Sequence, residues 1–203
     1  SNMRTWSERS IKNLTGCHPD LQRVMNVALQ ISPVDFGVID GLRTKAEQVK
    51  NVEAGASQTL DSRHLQGCAV DVIAAVAKGA DPWKFDLYIK ISAAVKAAAA
   101  IEQVPVVWGG DWKSLKDGGH FELKKSAYPN GVEYTPGLTP DQCPPKYWTP
   151  GLTAAKPPVF TMVPTSDLTE AERNQLVSDW ERKMQQIQDE MMKHWMTRPQ
   201  GLK

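Results

Sequence analysis

Leu21, Val24, Ala28, Leu29 and Ile31 recur at helical spacing behind His18-Pro19-Asp20, which predicts a helix from about Pro19 to Ile31 with one face on a core. Phe36 to Asp40 reads as a short strand, and Thr44-Lys-Ala-Glu47 is a capping box that opens a second helix. Arg43 therefore falls at a strand-to-helix corner. After a Gly/Ser-containing loop near Gly55 to Thr59, Cys68 to Ile73 predicts a strand with Cys68, Val70 and Val72 on its apolar face and Asp71 on the other. Asp81-Pro82 is read as the N-cap and first-turn proline of a long Ala-rich helix reaching Glu102. Val104 to Trp108 and Gly119 to Leu123 predict two more strands, the second with His120 and Glu122 on one face and Phe121 and Leu123 on the opposite one. Few strands, and helices that do not alternate strictly with them, point to an α+β fold with helices packed on a small antiparallel sheet.

The pattern changes after residue 128. Nine of the 14 prolines lie between Pro129 and Pro164, so residues 129–166 are expected to form an extended strap or linker. Thr169-Glu-Ala-Glu172 is a further capping box, and Val177, Trp180, Met184, Ile187, Met191 and His194 follow at three- and four-residue steps. These predict a C-terminal amphipathic helix over 167–197 behind a catalytic domain at 3–128. Docking on that domain is favoured over a coiled coil, because the seam is short of the roughly 3 to 4 heptads a coiled coil needs. An apolar face of Trp180, Met184, Ile187, Met191 and Trp195 also fits a partner chain, self-association or lipid.

Composition narrows the classes. With 24 basic and 23 acidic residues well mixed along the chain, net charge is +1, and no field able to concentrate nucleic acid is expected. No run approaches the roughly 18 apolar residues of a transmembrane segment. The start, SNMRTWSERS, lacks the apolar core of an export signal, and its first two residues look like a scar of tag removal. Cys17, Cys68 and Cys143 are too few and too scattered for a disulfide framework, which fits synthesis in a reducing cytoplasm.

A catalytic zinc site takes three nitrogen or oxygen ligands and leaves one position open. His64, Asp71 and His120 supply such a set: His64 from a loop entering a strand, Asp71 from inside an apolar strand where an unpaired carboxylate is costly, and His120 from a neighbouring strand. Ser62 has no adjacent His–Asp pair, so it is read as a substrate or backbone hydrogen-bonding group rather than a nucleophile. His18 and His194 lie outside this constellation and are assigned solvated or core-edge roles.

Ser62-x-His64-x-x-Gly67-x-Ala69-x-Asp71, followed by Asp117-x-x-His120-Phe-Glu122, resembles the M15 metallopeptidases, zinc enzymes of peptidoglycan stem peptides. Trp108-Gly-Gly-Asp-Trp112, and Gly41-Leu-Arg43-Thr44 with Gln48, are most similar to the phage endolysin branch, the likeness running over about Leu14 to Leu123. The resemblance implies zinc on His64, Asp71 and His120, Asp117 as general base, and Arg43 facing the scissile carbonyl. Related carboxypeptidases carry a Glu where Asp117 stands. Glu122, on the strand face of His120, is the rival base and is given instead the task of orienting a ligand imidazole. Arg43 has the alternative of a surface salt bridge. Ser62, Gln48 and Glu122 complete the candidate site.

The implied activity is hydrolysis of the L-alanyl-D-glutamate bond by a phage or prophage endolysin. Such a lysin waits in the host cytoplasm until a separate pore releases it. A D-alanyl-D-alanine carboxypeptidase or dipeptidase is the alternative within the family, and an inactive metal-stabilised wall-binding or phage structural module is the alternative outside it.

Overall fold

The computed structural model describes residues 3–57, 59, 61–130 and 137–151. The expected C-terminal helix over 167–197, with His194, lies outside the described residues.

Four strands form one antiparallel sheet in the order β1-β2-β4-β3: β1 Phe36–Asp40, β2 Ala69–Ala74, β3 Val106–Trp108 and β4 His120–Leu123. The helices are α1 Glu8–Leu14, α2 Pro19–Ile31, α3 Lys45–Glu53 and α4 Phe85–Glu102. The architecture is α+β. Alternation along β2 and β4 sends Val70, Val72, Phe121 and Leu123 into a core with α2 and α4, all four fully buried. Asp71, His120 and Glu122 are left on the opposite face. Ala94, Ala97 and Ala98 of α4 are also fully buried, and their small side chains suit the close packing of α4 against α2.

The ends of α2 and β1 fall where the hydrophobic spacing predicts, and Thr44 and Glu47 form both bonds of the expected capping box at α3. The start expected for α4 is corrected. Asp81 accepts a hydrogen bond from the Trp83 amide, closing a local turn, and the helix begins at Phe85 with Lys84 as an N-cap that makes no side-chain capping bond. β3 is shorter than expected because the Val104 amide bonds Ala99 O at the end of α4 and Pro105 has no amide to donate. Helix α1, not anticipated, is capped by Ser7 and packs on β1.

Within residues 137–151 the Pro-rich segment is tied to the helices. Asn26 donates to Pro140 O and Cys143 O, and Gln22 donates to Leu138 O. Glu102, its side chain fully buried, accepts from the amides of Lys146, Tyr147 and Trp148 while paired with Arg23 at 2.7 Å. Cys17, Cys68 and Cys143 are buried and unpaired by disulfides. Among the described residues no helix is long and apolar enough to cross a membrane.

Candidate active site

Sheet register builds one side of the site. Asp40 of β1 pairs with Asp71 of β2, after an irregularity following Val38, and Asp71 pairs with His120 of β4. Three polar residues from three strands thus stand in one row on the face turned away from the core. His64 reaches them from a 3-10 turn, Arg63–Gln66, whose N-cap Ser62 accepts from the His64 amide at 3.2 Å. Gly67 ends that turn at φ +65°, a conformation that favours glycine, and a Cβ there would come within 3.1 Å of Gly16 O.

The imidazoles are oriented by their outer nitrogens. His64 Nδ1 donates to Gly41 O at 2.8 Å, which leaves Nε2 facing Asp71 Oδ2 at 3.2 Å. Gly41 must be glycine, because a Cβ there would lie 1.8 Å from Asn13 O. His120 places Nδ1 3.0 Å from Asp71 Oδ1 and Nε2 2.9 Å from Glu122 Oε1. One nitrogen of each histidine and one oxygen of Asp71 all lie within 4.8 Å of one another. Two imidazole nitrogens and a carboxylate oxygen so disposed fit a metal ion, and this donor set is that of three-ligand zinc centres.

The electrostatics follow from this packing. Burial alone raises a carboxyl's pKa, but hydrogen bonds from His120 and then His64 outweigh it and hold Asp71 well below the usual carboxylate range. Burial opposes charge on His120 as well, yet its bonds to Asp71 and Glu122 prevail and push it up to about 9. Asp117 moves the other way. Desolvation in the cleft, and then repulsion from Asp71, raise its carboxyl above the ordinary value.

These groups line an open cleft of about 740 Å³ together with Arg43, Trp112, Leu115 and Lys116. Asp117 Oδ1 accepts from the Gly119 amide at 3.2 Å, and the Asp117 amide is held by Gly109 O at 3.1 Å. Gly109 O also accepts from the Trp112 amide at 3.3 Å, so a single carbonyl closes the loop that carries Trp112 through Asp117. The indole of Trp112 lies 5.0 Å from the His120 ring. A more apolar groove of about 510 Å³, bordered by Trp6, Leu29, Pro144 and Trp148, contains none of the three ligand-type residues.

The family model of the phage L-alanyl-D-glutamate peptidases matches residues 3–130. The chain belongs to that family. An L-alanyl-D-glutamate peptidase of Escherichia phage T5 is 31% identical over 130 residues, which is 62% of this chain and 93% of the relative. One from Listeria phage A118 is 33% identical over 95 residues, 47% of this chain and 32% of that relative, so the chain spans about a third of its length. Among solved structures, the L-Ala D-Glu endopeptidase ChiX of Serratia marcescens is similar at 51% identity and a TM-score of 0.56, over 61% of this chain and 92% of that one.

Within this family member, the structure brings His64, Asp71, His120, Asp117, Glu122, Arg43 and Ser62 to one cleft. Gln48 stands behind it, buried in α3, accepting from Arg43 and donating to Ser57 Oγ and Thr59 O. Arg43 is not at the surface: its side chain is 9% exposed, and its guanidinium is bonded to Asp40 and Gln48 and lies 3.6 Å from Asp71. Asp40, Gly41 and Trp112 were not singled out individually for the site. The signal for the first two was the Asp-Gly step at the end of β1, where a glycine marks a close backbone approach.

Proposed function

We propose that this chain is a zinc-dependent peptidase that hydrolyses the L-alanyl-D-glutamate bond of peptidoglycan stem peptides in phage lysis. Its substrate lies beyond the host membrane, and release through a separate pore belongs to the proposal. The observation that carries the reading is the convergence of His64 Nε2, Asp71 and His120 Nδ1 in an open cleft with a carboxylate of raised pKa at its side.

When bound there by His64, Asp71 and His120, zinc supplies an acidified water and a Lewis acid for the scissile carbonyl. Asp117 takes the proton of the attacking water and returns it to the leaving amine; a carboxyl raised above the ordinary value is closer in proton affinity to both partners. Glu122 accepts the Nε2 proton of His120, fixing the tautomer whose Nδ1 faces the ligand cluster. Gly41 O does the same for His64 through its Nδ1. Arg43, held by Asp40 and Gln48, is the fixed cation for the oxyanion that develops on the carbonyl.

Peptide mapping of digested sacculi, wild type beside Asp117→Ala, tests bond and base together. The expected products carry a new D-glutamate N-terminus, and the variant makes them roughly 10² to 10⁴ times more slowly. Release of terminal D-alanine with the L-Ala–D-Glu bond intact overturns the assignment, and tight zinc binding without wall cleavage favours the inactive module.

A further inference from the structure

The cleft is lined by charged groups of both signs. They include five carboxylates, Asp40, Asp61, Asp71, Asp117 and Glu122, and three Lys or Arg side chains, Arg43, Arg63 and Lys116. Two of these cations are already engaged. Arg43 is bonded to Asp40 and Gln48, and Arg63 donates to Gln66, Leu123 O and Tyr128 O. Lys116 is exposed and, among the described residues, makes no hydrogen bond or ion pair. Its backbone is anchored at the next residue, Asp117, whose amide is held by Gly109 O at 3.1 Å.

The substrate's chemistry gives this cation a task. A D-glutamate residue acylated on its amine and continuing the peptide through one carboxyl keeps the other carboxyl free. That carboxylate sits within a few bonds of the nitrogen that leaves when the L-Ala–D-Glu bond breaks. Asp117 delivers the proton to this nitrogen, so the carboxylate arrives on the Asp117 side of the cleft, next to Lys116. We propose that Lys116 is a specificity-determining residue that binds the free carboxylate of the D-glutamate on the leaving side of the scissile bond. Peptides in which this carboxyl is a primary amide lose the contact and become poorer substrates. This inference rests on the proposed bond specificity.

The test uses two peptides that contain the L-Ala–D-Glu bond and differ only in whether that carboxyl is free or amidated. A charge-assisted contact at a solvent-facing position gives the free acid an expected advantage of roughly 5- to 20-fold in kcat/KM, expressed mainly in KM. The advantage shrinks with added salt. In Lys116→Met it collapses to less than about 2-fold and loses its salt dependence, while Lys116→Arg retains it. Lys113→Met is the control, since Lys113 is exposed on the same loop but outside the cleft lining. No preference in the wild type, or a preference that survives Lys116→Met, overturns the inference alone. Failure of the wild type to cleave either peptide at the L-Ala–D-Glu bond overturns the bond assignment, and this inference with it.

Discussion

Replacing Glu122 with Gln separates two effects that the site combines in one hydrogen bond. Glu122 Oε1 accepts from His120 Nε2 at 2.9 Å, which raises the electron density at Nδ1 and also helps hold the His120 proton up to about pH 9. A metal ion that takes Nδ1 must displace that proton. With its pKa at about 9, His120 carries that proton at pH 7, and the competition weakens metal binding there. Glutamine keeps an acceptor at this position but removes its charge. The intrinsic affinity of the site then falls by about 10- to 100-fold, the usual consequence of losing such a partner. The His120 pKa falls too, so the proton competes less, and the two changes oppose each other near neutrality. Above pH 9 His120 is deprotonated in both proteins and only the intrinsic loss is left. The expected result in chelator-buffered zinc titrations is an affinity deficit for Glu122→Gln that is under about 10-fold at pH 7 and grows as pH rises past 9. An equal deficit at both pH values refutes the coupling of Glu122 to the His120 proton.

The same proton predicts that metal uptake below about pH 9 releases it, which calorimetry in buffers of different ionisation enthalpy measures directly. Asp117 as general base predicts that kcat/KM falls as pH drops through its pKa, because the base becomes protonated, and an acid limb that survives unchanged in Asp117→Asn speaks against Asp117 as base. Chelation is expected to abolish cleavage and lower Tm, with zinc restoring both. Glu102→Ala leaves Arg23 with Asp20 as its remaining carboxylate partner and three strap amides without their acceptor, an expected loss of about 3 kcal/mol read by urea denaturation. Gly41→Ala forces a Cβ onto Asn13 O and displaces the carbonyl that orients His64, so zinc affinity and stability fall together.

How much of this could be read beforehand depended on the range of the interactions. Helix α2 and strand β1 were legible to the residue because their ends are set by local hydrophobic spacing, and α3 because Thr44 and Glu47 cap each other within one turn. The ligand face of β2 and β4 was legible for a similar reason. Strand alternation alone puts Asp71 and His120 opposite Val70 and Phe121. Helix α1 escaped because only Ile11 and Leu14 of its seven residues are strongly apolar, and its burial depends on β1 arriving from 25 residues away. The start of α4 was misplaced because an Asp-Pro pair serves a turn as well as a helix: the hydroxyl of Tyr88, in the first turn of α4, donates to Pro82 O, and the Asp81 turn stays outside the helix. The Glu102 clamp, spanning more than 40 residues to the strap, leaves no local trace at all.

The two halves of the site are therefore built to different standards of rigidity. The ligands stand on sheet register and on a turn locked by Gly67 and Gly41, with a fully buried core behind them, so their spacing is tied to the stability of the whole fold. Asp117 and Lys116 belong instead to a loop closed by the Gly109 carbonyl, with Leu115 held at φ +52° and 66% exposed. Leu115→Gly relieves that backbone strain and adds freedom to the chain on which the base stands. Its expected effect is a drop in kcat of several-fold with zinc affinity and Tm nearly unchanged, measured on the same L-Ala–D-Glu peptide. A parallel loss of zinc affinity refutes the division, because it means that the loop and the ligand row move as one body.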